Sequence, residues 1–142
     1  MKQGVELWVV WNDNDMIELE IVGCNGKFGG TALTYDNPDA PKVAADALKG
    51  FPTSNSDARE IGFGGSLGLA FKSGIRLRFS CKDSAGHLTV EVNIQSDNRD
   101  EERESVRFAM PVEPGAIDIF VQQLYGLQDE MYGKTAMLAI AK

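Results

Sequence analysis

Histidine is almost missing from this chain, cysteine is scarce and positive charge is outnumbered. In 142 residues there are one histidine, two cysteines, and 14 lysines and arginines against 21 aspartates and glutamates. Each shortage excludes something. Two cysteines, Cys24 and Cys81, are too few for a disulfide framework and stand in no metal-type or redox-type spacing, so both read as reduced thiols. The lone His87 lacks the partners of a triad or a zinc site; Asp83 is the only acid near it, and with Gly86 it completes a turn into a strand beginning at Leu88. A formal net charge of −7 leaves no basic footprint for nucleic acid or an anionic membrane, and suits solubility or a basic protein partner. Long apolar runs are missing too. The opening "MKQGVELWVVW" has no signal-peptide core, and no segment approaches the length of a membrane span, so a cytoplasmic location is expected.

What is present is ordinary for a globular protein: 43% apolar and 25% charged residues, without repeats, low-complexity tracts or a linker. A single domain over residues 1–142 is expected. Val5, Leu7, Val9 and Trp11 alternate as one strand, and Ile17, Leu19 and Ile21 alternate with Glu18 and Glu20 as a second with one wet face. Asn25-Gly26 marks a hairpin. Pairing outward from it puts Leu33 opposite Glu18 and leaves Leu33 and Tyr35 on the wet face. A bulge at Gly29-Gly30 would bring them opposite Leu19 and Ile17, and that bulge is expected.

A helix follows, with Asn37 as N-cap, Pro38 at its first position and an apolar stripe of Ala40, Val43, Ala44, Ala47, Leu48 and Phe51. Gly50 and Pro52 stop it, and "PTSNSDARE" reads as a loop. Strands are expected around Ile61 and Phe63, Leu67 to Phe71, Ile75 to Cys81, and Leu88 to Ile94, then around Val106 to Met110, ended by Pro111 and Pro114. A second helix begins in "PGAIDIFVQQLYGL", with Phe120 at the centre of its stripe, and the tail after it reads equally as strand or helix. The expected fold is α+β: an antiparallel sheet of about seven or eight strands with two helices packed on one side.

The glycine-rich "GFGGSLG" (Gly62 to Gly68) fails as a dinucleotide fingerprint, because the sixth position is Leu67 and the following residues have period two, leaving no helix N-terminus for phosphate. No Gly-Lys-Ser/Thr closes it as a P-loop. A bulge, tight hairpin or close packing explains the glycines. "NDND" fails as a calcium loop, with Ile17 and Cys24 where ligands are required, and reads as a turn. No cofactor and no metal ligand is assigned. Glu18, Glu20 and Glu91 are the acids that could meet in space for acid–base work, although their alternation with apolar residues fits a solvated sheet face.

"DNRDEERE" is the densest acidic run, and Asp97, Asp100, Glu101, Glu102 and Glu104 are the candidate partner-binding residues. The stretches "FGGTALTYDNPDAPKVAADALKGFP", "KDSAGHLTVEVNI" and "RFAMPVEPGAIDIFVQQLYGL" together resemble the small bacterial proteins grouped near the WapI-type toxin immunity proteins, over about Trp11 to Leu127. That resemblance implies an α+β cytoplasmic protein without a cofactor that binds and neutralises a toxin, and it carries no catalytic residues. The favoured expectation is a non-catalytic binder of a basic protein. The alternatives are a dimeric secretion-type chaperone, whose kind opens on a helix rather than strands, and an enzyme with a spatially assembled carboxylate site. Oligomeric state is left open.

Overall fold

The computed structural model describes residues 2–64, 73–96, 103–127 and 134–141. Along these the chain runs β1 (Gly4–Asn12), β2 (Ile17–Cys24), β3 (Gly29–Asp36), α1 (Ala40–Leu48), β4 (Ala58–Phe63), β5 (Gly74–Cys81), β6 (Leu88–Ser96), β7 (Glu104–Val112), α2 (Pro114–Leu127) and β8 (Thr135–Leu138). The fold is α+β, and its eight strands divide into two antiparallel sheets of four, sheet I in the order β3-β2-β1-β8 and sheet II in the order β4-β5-β6-β7. The expected strand from Leu67 to Phe71 lies outside the described residues.

Period-two alternation places Leu7, Leu19 and Ile21 of sheet I and Leu77, Phe79 and Val92 of sheet II in one shared core, each fully buried. Each such side chain contributes roughly 1.5–3 kcal/mol of transfer free energy. The two helices lie together, α1 against α2 and β4, and α2 against β8, so they close the side between the β4 and β8 edges. Phe120 is fully buried there, as its place in the stripe requires. The free edge of β8 is also met by a side chain, since the Met137 amide donates to Gln123 Oε1 at 2.7 Å.

The sheets are tied at the other side by β3. Its core-facing residues are small: Gly30, Ala32 and Thr34, beside Gly23 of β2. A Cβ at Gly23 would stand 2.7 Å from the Ile94 side chain, and one at Gly30 would stand 3.1 Å from Val106, so these residues let the sheets approach. At the far end of β3, Thr34 Oγ1 donates to the Ser73 carbonyl (3.0 Å), Ser73 Oγ donates to the Leu33 carbonyl (2.6 Å), and the Gly64 amide donates to Asp36 (2.8 Å). Gly64 and Gly74 both have positive φ, and a Cβ at Gly74 would lie 1.9 Å from the Phe63 carbonyl oxygen. The described glycines of the Gly62–Gly68 stretch thus serve close backbone approach.

Several local expectations are corrected. The β2–β3 pairing is regular, with Leu33 opposite Glu20 and Tyr35 opposite Glu18, and has no bulge at Gly29-Gly30. The connecting loop is four residues long rather than two, with Cys24 paired to Gly29. That moves the register by two, which leaves every side chain on its face. A bulge occurs instead in β1, between Val9 and Trp11. The extra residue, Val10, reverses the faces beyond it, so Trp11 pairs with Glu18 and points outward instead of continuing the buried row.

Helix α1 starts two residues later than expected, with Asp39 rather than Asn37 as its N-cap and Pro41 in its first turn. Its buried face is Pro41, Ala44, Ala45 and Leu48, leaving Val43 and Ala47 exposed. β4 begins at Ala58, inside the expected loop. Pro111 does not end β7 but sits within it, opposite Thr89, which an edge strand tolerates because its outer amide positions need no partner. The C-terminal segment supplies β8, paired with β1.

Candidate functional site

Of the residues proposed for partner binding, Asp97, Asp100, Glu101 and Glu102 lie outside the described residues. Glu104 opens β7 opposite Ser96 and is exposed. It stands on the rim of a groove of about 410 Å³ whose walls include Gly29, Gly30, Ser96 and Val106. Hydrogen-bonding groups dominate those walls, as expected for a place where a polar partner group could rest.

Glu18, Glu20 and Glu91 are not brought together. Glu18 and Glu20 project from β2 in sheet I, whereas Glu91 projects from β6 in sheet II and holds Arg107 at 2.8 Å. His87 is exposed in the turn before β6, its Nδ1 2.8 Å from Asp83 Oδ2. The Asp83 carboxyl is held below the usual carboxylate range, first by that hydrogen bond and then by the Ala85 amide. In "NDND" the Asp13 carboxylate accepts from the amides of Asp15 (2.8 Å) and Met16 (3.0 Å), which uses it to close the turn. Among the described residues no group of three His, Cys, Asp or Glu is arranged to hold a metal ion. Cys24 and Cys81 are both free thiols.

The most distinctive surface is the outward face of sheet I. The cross-strand registers arrange it in rows. Glu18 stands between Trp11 and Tyr35, Glu20 stands between Trp8 and Leu33, and Glu6 stands between Val22 and Met137. Leu33 is 54% exposed, Tyr35 55% and Trp11 38%, while Trp8 is half-buried and donates Nε1–H to Glu6 at 3.1 Å. The Tyr35 hydroxyl is pushed above its usual pKa, chiefly by its hydrogen bond to Glu18 and then by that group's negative charge. No lysine or arginine occurs in any of the four strands; nearby lysines stand outside them, Lys2 ahead of β1, Lys27 in the β2–β3 turn and Lys134 ahead of β8.

Reading by periodicity passed over this face because it treats exposed aromatic residues as errors to be repaired. Period two puts Trp11 in the buried row because it does not register the bulge at Val10, and the expected bulge at Gly29-Gly30 turns Tyr35 inward. The available signal was the lack of any cation in three successive strands.

Among the described residues no helix is long and apolar enough to cross a membrane. The chain matches no protein-family model, no curated protein and no solved structure.

Proposed function

We propose that the chain is a non-catalytic, cytoplasmic binding protein that takes a basic protein partner, acting as an immunity protein that covers a basic toxin. The observation that carries this reading is the distribution of charge. The net charge is −7, five of the 21 acids fall within the eight residues ending at Glu104, and the strands of sheet I contain no lysine or arginine. An acidic surface of this kind raises the rate of encounter with a cationic protein and disfavours other polyanions. The free thiols of Cys24 and Cys81 suit a reducing compartment.

The test is capture of partners on the immobilised chain, followed by association kinetics with the captured protein. A basic partner is expected, with association that slows as salt shortens the reach of charge to about 8 Å near physiological ionic strength. Replacing Asp100, Glu101, Glu102 and Glu104 with lysine should slow association and leave stability nearly unchanged. Failure to capture any basic protein would overturn the reading. Equal rates for the native and reversed chains would remove the acidic run from it.

A further inference from the structure

We infer that the outward face of sheet I is the docking surface for the basic partner, and that it takes a patch on which lysine or arginine side chains alternate with apolar ones. This rests on the chain being a binder of a basic protein, and it adds where the partner sits and what it must present.

The rows of the face set the chemistry. Glu18 and Glu20 are two residues apart on one strand, so they project on the same side about 6.6 Å apart. An ammonium or guanidinium group settling between them meets two carboxylates at once. Trp11 and Tyr35 flank Glu18, and Trp8 flanks Glu20, so the same cation also meets aromatic rings, whose faces attract positive charge. Leu33 and Val22, on the same side, offer apolar surface to whatever lies between the partner's cations. Exposed tryptophan and tyrosine are the side chains that contribute most when an interface covers them.

Charge also decides the occupant. A second copy of this chain would set Glu6, Glu18 and Glu20 against the same three carboxylates, and like charges facing each other are destabilising. A nucleic acid or an anionic membrane fails for the same reason. The outward side of sheet II lacks this character, because its glutamates already hold arginines: Glu60 with Arg76 (3.3 Å) and Glu91 with Arg107 (2.8 Å).

The experiment uses a built-in reporter, since the only tryptophans, Trp8 and Trp11, both lie on this face. The full chain is titrated with a decapeptide alternating lysine with phenylalanine, and with a twin carrying glutamate in place of lysine. Tryptophan fluorescence and amide NMR shifts are read together. The lysine peptide should give a saturable, salt-sensitive tryptophan response with shifts at Glu18, Glu20 and Leu33, and the glutamate twin should give none. The triple variant Glu6→Gln, Glu18→Gln, Glu20→Gln should bind roughly tenfold more weakly or worse. The pair Glu60→Gln, Glu91→Gln should bind as the native chain does.

Shifts confined to the Glu104 groove or to sheet II would overturn this placement while leaving the binder reading standing. Failure of the lysine peptide to bind anywhere would overturn both. Sedimentation as a dimer that the triple variant dissociates would replace the basic partner with a second copy and overturn the inference.

Discussion

The two sheets bury their inward faces alike and treat their outward faces in opposite ways. Sheet II alternates its core residues with Arg76, Arg78 and Arg107 and with Glu60 and Glu91, and Arg76 and Arg107 meet Glu60 and Glu91 in ion pairs. Such pairs are individually worth little, but they leave a balanced and well-hydrated surface. Sheet I alternates an equally apolar inner row with carboxylates and aromatic rings, and its strands contain no cation. The inner rows of both sheets supply the shared core. The proposed docking surface on sheet I rests on this difference between the outer rows.

The largest expected effects test whether the sheets are one structure beneath these faces. Leu7→Ala in sheet I and Leu77→Ala in sheet II should each cost about 2–5 kcal/mol, and Phe120→Ala about 3–5 kcal/mol, because all three side chains are fully buried in the same core. Denaturant unfolding followed by tryptophan fluorescence (sheet I) and by far-UV circular dichroism (the whole chain) should give coincident transitions in every variant. Transitions that separate would mean that the sheets fold independently and that their comparison is between two units.

The next effect concerns the seam. Gly64→Ala should cost more than about 1 kcal/mol, because φ is +84° and the added methyl would meet Thr34 Oγ1 of β3, across the two sheets. Gly86→Ala, also at positive φ but with nothing within 4 Å, should cost less. Equal losses in chemical denaturation would show that backbone strain alone matters and that close approach at the seam does not.

Acid sharpens the comparison from the other side. Asp57 is held below the usual carboxylate range first by its hydrogen bond to Arg59, and Asp46 first by Tyr125. Arg59 also donates to the carbonyls of Ala47 and Lys49 at the end of α1, so this pair joins the helix to sheet II. A carboxyl whose pKa is depressed by folding stabilises above its unfolded pKa, and that stability is lost as pH falls through the folded pKa. Thermal midpoints should therefore decline as pH drops below about 4, and decline less steeply in Asp57→Asn. An unchanged slope in that variant would remove the Arg59 pair from the acid response.

The smallest effect is one of sign. Glu91→Gln removes the partner of Arg107 and should lower stability slightly, whereas Glu20→Gln relieves like charge beside Glu18 and should raise it slightly, both within about 0.5 kcal/mol and most visible at low salt. The same sign for both would erase the electrostatic distinction between the sheets.

Much of the architecture was legible because period and position agree. The alternation of Ile75 to Cys81 and of Leu88 to Ile94, and the stripe through Phe120, give β5, β6 and α2 with little displacement. Legibility failed where one residue changes the phase. Val10 is an ordinary strand residue, yet as a bulge it turns Trp11 from core to surface, and only the pairing partner reveals it. Pro111 looked like a terminator because its outcome depends on β7 being an edge, a fact of topology. The division into two sheets was equally hidden, since no local pattern records which hairpin lies over which. The candidate site suffered from the same cause. The acidic run was visible as composition, but the face of sheet I exists only once Trp8, Trp11, Leu33 and Tyr35 share a side with Glu18 and Glu20.

The central claim is that both tryptophans sit in a negative field on an open face. Charged quenchers of tryptophan fluorescence test it directly. At low ionic strength, caesium should quench the native chain more strongly than iodide, each measured relative to its action on a neutral tryptophan amide, because the carboxylates concentrate cations and repel anions. The preference should collapse in the Glu6→Gln, Glu18→Gln, Glu20→Gln variant and persist in Glu60→Gln, Glu91→Gln. Equal quenching by the two ions in the native chain, or a preference for iodide, would contradict the account.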